Sequence, residues 1–310
     1  MAPGNEKSQT AVENYHVPVM LHEAVDAMNI MPEGVYADCT FGGGGHSMEI
    51  LKRLGPQGKL IAMDQDADAK RNLPDDERVL FLPNNFRHIS RFLRLHKIDK
   101  LDGALADLGV SSHQFDEAQR GFSIRFDAPM DMRMDTRTQT TAATILKTFS
   151  EKQLHKMFEQ YGEVTNSKTL AKLIIDKREF ADMDTINGFK QSLHEIVKGN
   201  PNKYFAQVFQ ALRIEVNDEL GALKDWLEQM PALLKPRGRL VVITFHSLED
   251  RIVKQFMKAG TLIEVEENAF GVKPKSPLKV ITKKPVEASA EELKNNPRSR
   301  SAKLRIAEKI

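Results

Sequence analysis

Three aspartates stand at the ends of three short apolar runs. Asp38 closes the first within VYADCT, Asp64 follows KLIAM, and Asp107 follows ALA at 104–106. Directly after the first run come Gly42, Gly43, Gly44 and Gly45, then His46 and Ser47. A buried parallel strand reads as a short apolar run. Consecutive glycines let the chain turn sharply and let a ligand reach bare backbone. Asp64 lies about 20 residues past the glycines, where a carboxylate takes ribose hydroxyls.

Asp38, Asp64 and Asp107 would share one rim if the strands are parallel. Like charges there repel pyrophosphate and suit a nucleoside that carries a cation, such as the sulfonium of S-adenosylmethionine. The glycine spacing is not G-x-G-x-x-G opening a Rossmann helix. It is not a P-loop either, because His46 and Ser47 stand where Lys-Ser/Thr is needed.

The elements that position these residues read as an α/β alternation. A helix opens near Ser47, carries Met48, Leu51 and Leu54 on one face and stops at Gly55. Strands are expected at 35–40, 59–63, 79–82, 101–108 and 239–245, with a helix over 205–230 before the last and a turn at 232–238. Phe86 follows the third strand on the same rim, where it either stacks on a base or packs as ordinary core. The segment 115–135 has no clear period and reads as a long loop, and its Arg120, Arg125 and Arg133, with Arg137 just beyond, can hold phosphates. From 141 to about 200 the apolar spacing is helical, so 115–205 is expected as a helical domain inserted into an α/β domain made of 1–114 and 206–310. Val265 and Val280 fall in weaker extended segments, a possible antiparallel edge.

With 310 residues the chain can fill two domains, and Lys+Arg 45 against Asp+Glu 43 identifies no partner by bulk charge. From 271 to 310, however, eleven Lys/Arg face four Asp/Glu. Within that basic tail Arg298, Arg300, Lys303 and Arg305 are expected to face solvent and meet RNA phosphates. Cys39 is the single cysteine, which leaves no intramolecular disulfide and no thiolate cluster. His16, His22 and the acids lack tight ligand spacing, so no metal site is expected. There is no long apolar run or signal-peptide pattern, and a cytoplasmic protein is the default.

The segments HVPVML, DCTFGGGGHS, MDQD, ADLGVSS, RGFSIRFDAPMDMRMD, RIEVNDEL, FHSLEDR and NPRSRSAKLR occur in that order from His16 to Arg305. With them the chain resembles the ribosomal RNA small-subunit methyltransferase H family, which uses S-adenosylmethionine to methylate N4 of a cytosine in 16S ribosomal RNA. The resemblance implies a class I methyltransferase fold with a helical insertion. It also implies that Gly44, Gly45 and His46 form the cofactor loop, that Asp64 binds the ribose, that Phe86 lies beside the adenine, and that Asp107 and Gln114 complete the contacts. Relatives often carry arginine at the position of Gly43, a departure that leaves the cofactor role intact.

The exocyclic amine of cytosine is a weak nucleophile that needs in-line approach and acceptors for its hydrogens. Many amino-methyltransferases place Ser/Asp/Asn-Pro-Pro-aromatic at the exit of strand four. Here the exit reads DLGVSS, without the prolines or the aromatic. Ser111, Ser112 and His246 are the catalytic candidates by position, and each can equally serve as a turn cap. Two other readings are an NAD-dependent Rossmann oxidoreductase and a non-catalytic RNA-binding assembly factor.

Overall fold

The computed structural model describes residues 18–263 and 275–310. His16 and Val265 lie outside the described residues. The strands are β1 (Val35–Asp38), β2 (Lys59–Met63), β3 (Val79–Leu82), β4 (Leu101–Asp107), β5 (Leu234–Thr244), β6 (Leu278–Val280) and β7 (Lys303–Lys309). The helices are α1 (Leu21–Ala27), α2 (Gly45–Arg53), α3 (Ile89–Leu95), α4 (Ser112–Asp116), α5 (Ala142–Thr148), α6 (Glu151–Gly162), α7 (Ser167–Lys177), α8 (Ile186–Ser192), α9 (Pro201–Asn217), α10 (Glu219–Leu233), α11 (Ser247–Ala259) and α12 (Ala290–Asn295).

One sheet runs β3-β2-β1-β4-β5-β7-β6. The first five strands are parallel, and β7 enters antiparallel between β5 and β6. The order reverses between β1 and β4, whose carboxyl ends form the crevice where such sheets take ligands. Alternate residues serve opposite faces. Tyr36, Leu60, Leu105 and Val241 pack under α1 and α2. Ala37, Ile61, Ala104 and Val242 pack under α10 and α11, around the fully buried Trp226. Coverage on both faces explains why the strands read as apolar runs.

Between β4 and β5 the chain builds a helical body with its own core, from Phe122 to Leu212. It extends past the expected boundary at 205. Tyr204, Phe205, Val208, Phe209, Ala211 and Leu212 of α9 all belong to the helical core. The single helix expected over 205–230 is two. Asp218 takes a left-handed backbone (φ 46) and breaks it, so α9 serves the helical body while α10 serves the sheet. The short range of apolar periodicity hides such a break, because both halves keep helical spacing.

Two further expectations are corrected here. The loop at 115–135 is partly interior: Phe122, Ala128, Met130, Met132 and Met134 are buried. Two of its arginines and Arg137 just beyond it are held by carboxylates, Arg120 by Asp66, Arg133 by Asp131 and Arg137 by Asp135. The basic tail does not stand free either. It forms β7, where Leu304 is fully buried and Arg305 is 5% exposed. Arg305 donates to both oxygens of Asp250 at 2.6 and 3.0 Å. A sequence of Arg, Lys and Ser conceals the alternation Leu304, Ile306 on one face against Arg305, Ala307 on the other.

Candidate active site

The glycine turn is built by two left-handed residues, Gly42 (φ 50) and Gly44 (φ 78), a conformation that side chains disfavour. The Gly44 N–H donates to the Phe41 carbonyl at 2.7 Å. Gly45 has no room for a Cβ, which would sit 2.0 Å from Pro18 Cγ, whereas one on Gly43 would meet nothing within 4 Å. Gly42, Gly43 and Gly45 line a cavity of about 670 Å³, within the range of ligand pockets. Gly44 lies behind them, buried on Phe41.

The cavity brings together His46, Asp64, Phe86, Asp107, Ser111, Ser112 and Gln114. Asp64 accepts the Gly42 N–H through Oδ2 at 2.7 Å and the Asp66 N–H through Oδ1 at 2.8 Å. Burial pushes its carboxyl up to about 6 against those two donors. Phe86 meets Trp226 edge-on, centroids 5.7 Å apart, and turns its remaining surface to the cavity. Its two readings therefore coexist: one part of the ring is core and another is wall.

His46 is buried, with Nε2 3.1 Å from the Val19 carbonyl and Nδ1 3.8 Å from Asp107 Oδ2. Burial lowers its pKa, so the ring is neutral. Donation from Nε2 to the carbonyl then leaves the Nδ1 lone pair toward Asp107. Asp38 is also buried and accepts the Ser47 hydroxyl at 2.7 Å and the Thr40 N–H at 3.1 Å. Burial, first, and then the Asp38, Glu249 and Glu292 carboxylates hold Asp107 well above the usual carboxylate range. Its Oδ1 is buried without a hydrogen-bond partner.

Ser111 caps α4. Its hydroxyl accepts the Gln114 N–H at 3.2 Å, and Gln114 Oε1 accepts the Ser111 N–H at 3.0 Å, a reciprocal box. Gln114 Nε2 donates to Asp66 Oδ2 at 2.8 Å, beneath the cavity wall. Ser112 opens the helix in the same wall. His246 is not part of that wall. It lies behind it, with Nε2 3.1 Å from Glu249 Oε1. Glu249 Oε2 also accepts the Phe245 and His246 N–H groups. Burial works to raise the Glu249 carboxyl, but His246, these donors and the Arg213 charge outweigh it and hold it low.

Sequence spacing suggested no cluster of metal-ligating groups, yet Glu219, His246 and Glu249 place one ligand atom each within 4.8 Å of one another. Arg213 already donates to both oxygens of Glu219, at 2.7 and 2.9 Å. The three side chains thus belong to a network that fixes the exit of β5.

Sequence reasoning missed Asn296 as a wall residue and expected Arg298 in solvent, and both line the cavity. Arg298 donates to Asp116 at 2.8 Å and lies over the Phe115 ring, so it closes the cavity edge rather than reaching into solvent. The signal for it was Asn296-Pro297, a capped start of a helical turn. Arg300 is exposed, and Lys303 is partly so, 3.9 Å from Asp250.

The residues present fit a nucleoside cation. Space beside Gly43, a doubly held carboxylate at Asp64, the exposed part of the Phe86 ring and the Asp107 carboxyl converge on one cavity. Together with a sheet whose antiparallel β7 is inserted before β6, they define a class I methyltransferase that uses S-adenosylmethionine. Residues 13–310 match the profile of the MraW methylase family, and the chain belongs to that family. It is 50% identical over 298 residues to the ribosomal RNA small subunit methyltransferase H of Parabacteroides distasonis, covering 96% of this chain and 98% of that one. The protein of the same name from Flavobacterium johnsoniae is 50% identical over 302 residues, covering 97% and 100%. That from Cytophaga hutchinsonii is 51% identical over 299 residues, covering 95% and 99%. The family does not favour an NAD-dependent oxidoreductase or a non-catalytic factor. No helix among the described residues is long and apolar enough to cross a membrane.

Proposed function

We propose that this protein methylates the exocyclic N4 of a cytosine in the 16S RNA of the small ribosomal subunit. The observation that carries the substrate is the 50% identity, over 96% of the chain, to a protein named for small-subunit ribosomal RNA. When bound, S-adenosylmethionine supplies an electrophilic methyl group on a positively charged sulfur.

In this assignment Asp64 accepts the ribose hydroxyls, held in place by the Gly42 and Asp66 N–H groups. Phe86 covers the adenine, and Gly44, Gly45 and His46 shape the loop. Gln114 acts from below by fixing Asp66. Asp107 takes the part that the sequence left to Ser111, Ser112 or His246. The Ser111 hydroxyl is engaged in the α4 cap, and His246 lies outside the cavity wall. Asp107 lines the cavity with 23% of its side chain exposed, and its carboxylate can accept a hydrogen of the amine as positive charge develops on it. A carboxylate held above its usual range is also a better proton acceptor once ionised.

The target base must leave its stack to reach this cavity. The helical body, joined to the rim where Ser247 Oγ meets Glu163 Oε1 at 3.4 Å, is the substrate-recognition unit beside it. The reaction needs no metal, and its substrate places the work in the cytoplasm. Nucleoside mass spectrometry of small-subunit RNA, from cells with and without this protein, tests the assignment. Loss of N4-methylated cytidine without the protein is expected, and an unchanged nucleoside profile would refute it.

A further inference from the structure

Helix α11 starts at the cavity rim and carries a row of exposed cations. Arg251, Lys254 and Lys258 fall at i, i+3 and i+7, which puts them on one helix face. All three are exposed, while Val253, Phe256 and Met257 are buried on the opposite face. Among the described residues none of the three has an ion pair, in contrast to their neighbours Lys303 and Arg305.

The acids of α11 do not dilute this row. Glu249 is buried against His246, and Asp250 is turned inward onto Arg305. The buried pair that removed Arg305 from the solvent side thereby also neutralises the carboxylate nearest to Arg251. The row is continuous with the rim. Lys303 pairs in the sheet with Thr244, the last residue of β5, and Arg300 just before it is exposed. From Arg251 to Lys258 the helix rises about 10 Å, enough to follow a few successive phosphates. No large exposed apolar residue lies in α11, so the face lacks what a membrane surface would need for insertion.

We propose that the exposed face of α11, with Arg300 and Lys303 at its upper end, is the track for the RNA sugar-phosphate backbone flanking the target base. The proposal rests on the reading of the substrate as RNA. It replaces Arg298 and Arg305, which the fold has engaged elsewhere, by Arg251, Lys254 and Lys258.

The test is a salt titration of binding to unmodified small-subunit RNA, for wild type and for the triple variant Arg251→Gln/Lys254→Gln/Lys258→Gln. A second triple variant, Lys59→Gln/Arg94→Gln/Lys97→Gln, removes the same charge near the opposite ends of the strands. Each phosphate contact to a single strand contributes a slope of about 0.7 in log K against log salt. The α11 variant should therefore lose about 2 units of slope and bind at least tenfold more weakly at low salt. Its cofactor affinity by calorimetry and its thermal midpoint should match wild type, and the second variant should keep the full slope. An unchanged slope in the α11 variant overturns the proposal, as does an equal loss in both variants. Loss of binding to anionic vesicles with the RNA slope intact overturns it in favour of a membrane. Binding is read whether or not methyl transfer occurs, so an inactive wild type would refute the assigned reaction while the slope still decides the track.

Discussion

The Gly42 N–H donates to Asp64 Oδ2 at 2.7 Å, so the glycine turn after β1 is latched to the carboxylate at the end of β2. The two ligand-facing features of neighbouring strands are thus one unit. A change at Asp64 alters both the proposed ribose acceptor and the loop it latches.

Asp64 should give the cofactor-free protein a distinct pH dependence. Burial pushes its carboxyl up to about 6, against about 3.9 in an unfolded chain. The folded state then binds the proton more tightly, so this contribution to stability is full below pH ~4 and is lost as pH rises to ~6. Its size is of order 1–3 kcal/mol. Cofactor binding should strengthen over the same window, since the ionised group is the better acceptor. Denaturant unfolding and calorimetry across this range check both, and Asp64→Asn should flatten both curves.

Asp107→Asn should separate catalysis from folding. The substitution removes a buried carboxylate that Asp38, Glu249 and Glu292 already disfavour, so the thermal midpoint should be equal or higher. Methyl transfer should fall by about 10²-fold or more, the usual scale for losing a proton acceptor. In the wild type, single-turnover rates should rise with pH through an ionisation above the ordinary carboxylate range. A flat profile from about pH 5 to 8 would remove Asp107 from the role.

Arg305→Ala should be far more damaging than Arg298→Ala. The first removes both hydrogen bonds to the part-buried Asp250 and leaves it only the more distant Lys303, 3.9 Å away, a loss of about 3 kcal/mol, the lower end for breaking a buried pair. The second breaks a half-exposed pair with Asp116 at the cavity edge, about 1 kcal/mol or less. Urea unfolding of the two variants gives the comparison, and equal midpoints would contradict this ranking.

Gly45→Ala and Gly43→Ala should behave oppositely. At Gly45 the new methyl collides with Pro18, and the loop must shift with losses in stability and in cofactor affinity. At Gly43 the methyl enters open space, and the folded protein should be as stable as wild type. Thermal melts with and without S-adenosylmethionine distinguish them.

Much of the site was legible because its residues lie within a few positions of strand ends. Asp38, Asp64 and Asp107 are placed by β1, β2 and β4, whose apolar runs are easily read. His246 sits at a strand exit as well, yet its ring points behind the wall, and only the position of Glu249 determines that. The place of Arg305 was misread because charge content says little about a strand whose cations pair with a helix packed on the sheet. The part proposed for Asp107 was hidden for another reason. Its unpartnered oxygen follows from what the neighbouring Thr40, His46 and Ser47 do with their own hydrogen bonds.

The helical body has a consequence for how the chain reaches this structure. β4 and β5 are neighbours in the sheet, but everything from 108 to 233 lies between them. Closing a disordered connection of that length costs entropy that grows with the logarithm of its length. A helical body with local contacts and its own core can form first and shorten the effective connection, so that α10 can return the chain to pair Leu234 with Leu101. The sheet would then close late, over an already folded insert. Mutations such as Leu212→Ala in that core would slow refolding of the catalytic sheet without touching a single one of its strands.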